Sequence, residues 1–187
     1  VVDPESLQST STEGAVLLRG PSVSRGYWNR PEDPRFGLVL PDSSGPWLRT
    51  GDLGILDHNG RLKIMGRAKE VVVTASGENI YLDDVENALG PNHTYVKEYS
   101  LVGIEDPRGG ERLGMLVVPD AEENGDLDRA TLHSRAKETI DKAVKTLPNF
   151  QRPAVIALVD ADLPRTNTRK VKRKEVRAVL EKIAAAS

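Results

Sequence analysis

The sequence predicts an α+β chain: a small mixed sheet with flanking helices, preceded by a short all-β segment. Three observations carry this. Up to about Met65, short apolar runs are separated by Gly, Pro, Asn and Asp, and Asn59-Gly60 stands between two of them, a strong hairpin signal. Beyond Glu70, strand-like runs alternate with stretches whose apolar residues recur at steps of three and four, without a regular βαβ repeat. Between the two textures lies Gly66-Arg67-Ala68-Lys69-Glu70, whose charge suits an exposed connection.

Residues 1–12 are polar and are expected to fray, and residues 15–19 (AVLLR) form the first strand, ended by Gly20-Pro21. Residues 22–32 carry Tyr27 and Trp28 between turn formers and read as an ordered loop or short helix packed on a sheet. A second turn-rich stretch, 41–46, follows. Residues 47–50 are a short strand, Gly51-Asp52 a tight turn, and residues 53–56 a strand that meets 61–65 through Asp57-His58-Asn59-Gly60.

In the second texture, residues 71–74 (VVVT) make one β-branched strand ended by the turn formers Ala75-Ser76-Gly77-Glu78-Asn79. A helix then places Leu82, Val85 and Leu89 on one face and Asp83, Asp84 and Glu86 in its first turns, where the macrodipole favours acids; Gly90-Pro91 stops it. Residues 95–104 and 113–118 are strands joined by a Pro- and Gly-containing loop. Asp126 or Asp128 caps a helix that buries Leu132, Ala136, Ile140, Ala143 or Val144, and Leu147. Residues 147–153 (LPNFQRP) break it, residues 154–159 are a buried strand, and Val176, Val179, Leu180 and Ile183 mark a last amphipathic helix.

A chain of 187 residues can bury one respectable core or two modest ones. Net charge of -2 with 38% hydrophobic residues describes an ordinary globular composition and names no partner by itself. No apolar run approaches the length of a membrane span, and the N-terminus shows neither a basic nor an apolar signal region, so a cytoplasmic location is expected. Absence of cysteine excludes disulfides, thiolate ligands and a cysteine nucleophile. His58, His93 and His133 lack ligand spacing, so no metal site is expected. The valine at position 1 reads as the start of a fragment or processed chain.

One segment departs from this neutral background. Between Asp162 and Ser187 there are eight basic and three acidic residues, concentrated around Arg165-Thr166-Asn167-Thr168-Arg169-Lys170. Either an anionic partner such as phosphate or a solvated basic face fits that pattern. With aromatic residues at 4% and both tryptophans far from the basic run in sequence, there is no stacking platform, and no nucleic-acid partner is expected.

Six segments together resemble one family. Gly26-Tyr27-Trp28-Asn29-Arg30-Pro31-Glu32, Thr50-Gly51-Asp52-Leu53, Gly66-Arg67-Ala68-Lys69-Glu70, Gly77-Glu78-Asn79-Ile80, the LPNFQRP segment and Leu163-Pro164-Arg165-Thr166 leading to Lys170 look like the ordered late motifs of acyl-adenylate-forming enzymes. This superfamily contains acyl-CoA synthetases, peptide-synthetase adenylation domains and firefly luciferase. The resemblance spans nearly the whole chain.

It implies that residues 1–66 end a large N-terminal adenylation domain and residues 67–187 form the mobile C-terminal domain, with Lys69 as the hinge. It implies ATP, with Mg2+ in the full-length parent, and CoA as co-substrates, and a small carboxylic acid, fatty or similar, as the acid joined to the thiol. Under the resemblance Asp52 accepts hydrogen bonds from the ribose hydroxyls, Arg67 lies near the same nucleotide, and Lys170 reaches the carboxylate and α-phosphate oxygens. Gly77, Glu78 and Asn79 border the passage of the incoming thiol. The family's phosphate loop and acyl pocket precede these motifs, so the fragment alone is expected to be inactive.

Two residues depart from the family pattern: Arg169 where Gly commonly precedes the lysine, and Leu82 where Pro often follows the aromatic. Glycine permits φ values that arginine avoids, which leaves the backbone before Lys170 open. A standalone anion-binding module and a peptide-synthetase-type adenylation domain are the competing readings.

Overall fold

The chain, seen in a computed structural model, is described at residues 1–29, 33–40 and 45–185. Residues 30–32 and 41–44, which fall within two of the expected loops, and residues 186–187 lie outside this description. Cα packing divides the chain into two compact units, Val1–Lys69 and Glu70–Ser187.

In the first unit, β1 (Gly14–Leu18), β2 (Leu38–Val39) and β4 (Leu62–Arg67) all pair antiparallel with the long β3 (Pro46–Leu56). Gly51-Asp52 was expected to be a turn and is instead a bulge inside β3. Ala15 faces Leu53 and Leu17 faces Arg49, so Thr50, Gly51 and Asp52 stand opposite Val16 alone. The N-terminal stretch is tied down rather than frayed: the Val2 N–H donates to the Ala15 carbonyl at 3.0 Å, and Val2 is buried against Leu17 and Leu40. Trp28, expected to pack on the sheet, is 98% exposed. The two-residue β2 is too short to leave a signature in sequence.

In the second unit, β5 (Val71–Val73) pairs with β6 (Asn79–Tyr81), and β7 (Val96–Glu105), β8 (Glu111–Pro119) and β9 (Val155–Leu158) form a mixed sheet with β8 in the middle. Asn79 was expected to belong to the turn and is the first residue of a strand. The alternation of side chains along β7 and β8 splits two cores. Leu101, Leu113, Met115 and Val117 face one side, covered by α1 (Leu82–Leu89) and α2 (Arg129–Val144). Val102, Ile104, Leu116 and Val118 face the other, covered by Val176 and Leu180 of α3 (Arg173–Ala185). Burial on both faces explains why β8 reads as a nearly unbroken apolar run.

The helices follow the chemistry of their ends. Asp128 caps α2 by accepting from the Thr131 N–H at 3.0 Å. Leu82, in place of proline, is the first residue of α1, a position where either residue fits. Gly90 ends α1 with φ of +78°, and the Tyr99 hydroxyl donates to the Gly90 carbonyl at 2.6 Å. In α3 the buried residues are Val176 and Leu180; Val179, expected on the same face, is 36% exposed at its edge. β9 is half-buried rather than fully buried, with only Ala157 inside.

Candidate functional site

The first unit brings two of the expected residues together. Asp52 and Arg67 are register partners across β3 and β4, with Arg67 Nε 2.9 Å from Asp52 Oδ1. The bulge sets the position of Asp52. Thr50 Oγ1 donates to the Val16 carbonyl at 2.9 Å and accepts from the Asp52 N–H at 3.0 Å, so one hydroxyl satisfies two backbone groups that the broken ladder leaves over. Gly51 supplies the φ of +82° the bulge requires. Thr50 is therefore part of the site's frame, and its only sequence signal was its place before Gly-Asp.

Lys69 is exposed and central in a single 3-10 turn, Ala68–Glu70, so it continues directly from the strand that carries Arg67. Glu70, the next residue, enters an ion cluster of the second unit. Arg173, at the start of α3, donates to Glu70, to Glu86 at 2.8 Å and to Asp83 at 3.2 Å. Burial pushes the Glu86 carboxyl above its ordinary value, and the Arg173 charge opposes that rise. Burial also pushes the Tyr99 phenol up to about 12, with the Glu86 charge adding to it. No local sequence pattern signals this cluster, because its members are separated by about ninety or more positions from Arg173.

Gly77, Glu78 and Asn79 lie on the hairpin between β5 and β6. Residues 74–78 close as a three-residue loop: the Gly77 N–H donates to the Thr74 carbonyl at 2.9 Å, and the Thr74 N–H donates to the Glu78 carbonyl at 3.0 Å. Thr74 Oγ1 accepts from the Glu78 N–H at 3.1 Å, and Ser76 Oγ donates to Glu78 Oε2 at 3.1 Å. Gly77 has φ of +82°, and a Cβ added there would meet nothing within 4 Å.

Lys170 belongs to a second loop of the same construction. In residues 166–170 the Arg169 N–H donates to the Thr166 carbonyl at 2.9 Å, the Thr166 N–H to the Lys170 carbonyl at 2.8 Å, and the Lys170 N–H to Thr166 Oγ1 at 3.2 Å. Residues 57–61 and 106–110 repeat the backbone pattern. The fourth position of such a loop is left-handed, and here Gly60, Gly77 and Gly109 fill it in three cases and Arg169, with φ of +64°, in the fourth. Arg169 thus adopts the conformation that glycine takes freely, which answers the question left open by the sequence.

Below the loop, the Lys172 N–H donates to the Pro164 carbonyl at 2.7 Å, and Leu163 and Val171 pack into the apolar cluster under α3. Lys170 sits exposed at the tip. Much of the basic segment is internally neutralised: Arg165 pairs with Glu98, Lys172 with Glu175, and Arg177 with Glu111 and Glu181. Among the described residues, no carboxylate pairs with Lys170. His133 meets Asp160 at 2.6 Å and His58 lies in the 57–61 loop. Among the described residues, no three acidic, histidine or cysteine side chains are placed to hold a metal ion.

Comparison with known proteins bears on this arrangement. Residues 84–170 match the family described as AMP-binding enzyme C-terminal domain. An indoleacetate–CoA ligase from Aromatoleum aromaticum is 35% identical over 167 residues, covering 89% of this chain and 29% of that protein. A 2-succinylbenzoate–CoA ligase from Geobacillus kaustophilus is 31% identical over 173 residues, covering 90% of this chain and 31% of that protein. Among solved structures, ATP-bound MatB from Rhodopseudomonas palustris matches with a TM-score of 0.66 at 29% identity, covering 98% of this chain and 34% of that one. The o-succinylbenzoate CoA synthetase MenE from Bacillus subtilis, in complex with its acyl-adenylate intermediate, matches with a TM-score of 0.62 at 28% identity, covering 91% and 31%. The chain spans about a third of the length of the relatives it matches.

Proposed function

Because the chain belongs to the acyl-adenylate-forming enzyme superfamily, as its C-terminal part, we propose that its parent protein is an AMP-forming acid–thiol ligase. It joins a carboxylic acid to ATP, releasing pyrophosphate, and passes the acyl group from the adenylate to the thiol of CoA. The observation that most supports this reading is the exposed Lys170 that closes the hairpin loop, free of any carboxylate among the described residues while Arg165 and Lys172 beside it are ion-paired. Negative charge grows on the acid and α-phosphate oxygens in the adenylation transition state, and a positioned ammonium stabilises it.

In this reading Asp52 accepts from the ribose hydroxyls and Arg67 orients that carboxylate beside the nucleotide. Mg2+ enters with the triphosphate. Lys69 is the hinge about which residues 67–187, the proposed C-terminal domain, reorient after adenylation. Gly77, Glu78 and Asn79 then border the passage of the CoA thiol. Relatives named for indoleacetate and 2-succinylbenzoate turn the choice of acid from fatty toward ring-bearing carboxylates. Among the described residues no helix is long and apolar enough to cross a membrane, and the reading needs none. A standalone anion-binding module is not favoured, since the family match extends to Lys170 and both CoA ligases align along most of the chain.

The test is acid-dependent exchange of labelled pyrophosphate into ATP by the full-length parent, across aryl and fatty acids. Exchange with aryl acids exceeding that with fatty acids is expected. Absence of exchange with every carboxylate would overturn the ligase reading.

A further inference from the structure

We infer that Arg165, braced by Glu98, is a positioning residue for Lys170; the inference rests on the role proposed for that lysine. The Arg165 guanidinium forks in two directions. Its Nη2 donates to Glu98 Oε2, and its Nη1 donates to the carbonyl of Arg169 at 2.7 Å. That carbonyl belongs to the peptide that carries the Lys170 nitrogen, and because the peptide is planar, fixing its oxygen fixes the plane from which Lys170 departs.

Glu98 gives the fork a rigid base. It stands on β7, which is paired along its length with β8, and its Oε1 accepts from the Leu163 N–H at 2.8 Å. Leu163 is buried in the cluster under α3. One carboxylate therefore holds both the start of the hairpin, through Leu163, and its tip, through Arg165. Lysine could neutralise Glu98 but could not span both partners, since its ammonium is a point charge rather than a planar fork.

Arg169 shows why such a hold is needed. Loops 57–61 and 74–78 take the same shape with glycine in the left-handed position, whereas an L-residue there is disfavoured and an exposed tip is free to relax out of it. The bond from Arg165 to the Arg169 carbonyl selects the left-handed form and with it the direction of Lys170. Sequence reasoning passed over Glu98 because it lies 67 positions from Arg165.

The experiment measures adenylation and acyl transfer from a preformed adenylate separately, in the full-length parent, with thermal midpoints for each variant. Lys170→Ala serves as the reference. Arg165→Ala and Arg165→Lys should each lower adenylation on the order of 10- to 100-fold, the scale of a misplaced reacting group, with transfer near wild type. Adding Arg169→Gly to Arg165→Ala should restore most of that loss, because glycine adopts the left-handed form unaided. If Arg165→Ala does not fold, Arg165→Lys, which keeps the charge opposite Glu98, reads the same split. Wild-type adenylation in Arg165→Lys, or no recovery on adding Arg169→Gly, overturns the inference. An adenylation rate unchanged by Lys170→Ala would instead remove the reading beneath it.

Discussion

Arg169 and Gly77 hold the equivalent position of two loops of the same construction, with φ of +64° and +82°. For an L-residue that backbone costs about 1–2 kcal/mol, and part of the relief on changing to glycine is offset by the larger entropy of the unfolded chain. Arg169→Gly is therefore expected to raise the unfolding free energy of this chain by about 0.5–1 kcal/mol. Urea titration measures it through the midpoint at constant m-value. A lower midpoint would mean that the arginine side chain contributes more than its backbone costs.

Gly77→Leu separates a turn former from a passage residue. A Cβ at this position meets nothing within 4 Å, so the cost of the change at the backbone is that of the left-handed conformation, about 1–2 kcal/mol. In the full-length parent the expected result is adenylation near wild type with acyl transfer to CoA reduced at least tenfold, on the order expected when a reacting group is displaced. Normal thioester formation would end the passage proposal.

Much of this structure was legible in residue order, and the misses share a cause. Periodicity located α1, α2 and α3, and Asn59-Gly60 located the β3–β4 hairpin, because those signals are local. Gly51-Asp52 misled: glycine beside aspartate reads as a turn, and only the pairing with β1 shows a bulge in a continuous strand. Val2 was assigned to a frayed end because its bridge to Ala15 is invisible without tertiary structure. The candidate residues were found by motif, and Thr50 and Arg165 lay within those motifs without their supporting roles being legible, because they act through backbone groups and, like Glu98, through partners distant in sequence.

Thr50→Val tests the frame of Asp52. The substitution keeps the shape and removes the hydroxyl, so the Val16 carbonyl and the Asp52 N–H lose their shared partner. The expected loss is about 1–3 kcal/mol of stability in the first unit, with Thr50→Ser close to wild type. Equal behaviour of the valine and serine variants in thermal unfolding would show that the hydroxyl is not what holds the bulge.

Arg173→Ala should cost about 2 kcal/mol at neutral pH, because it leaves the half-buried Glu86, with Glu70 and Asp83, short of a cation. The pH dependence has a definite sign. Burial raises the Glu86 carboxyl above 4.5, so the folded state binds that proton more tightly than the unfolded chain, and stability from this group declines as pH rises above 4.5. Without Arg173 the rise is larger, so the variant's deficit relative to wild type should widen from about pH 4 to about pH 7. A deficit independent of pH across that window would remove Glu86 from the explanation.

The most direct test of the account is Lys170→Ala in the full-length parent, with the two half-reactions measured separately. Loss of one cationic contact to a developing anion is expected to slow adenylation about 10²- to 10³-fold while acyl transfer from a preformed adenylate stays near wild type. Equal loss in both halves, or an unchanged adenylation rate, would contradict the assignment of Lys170.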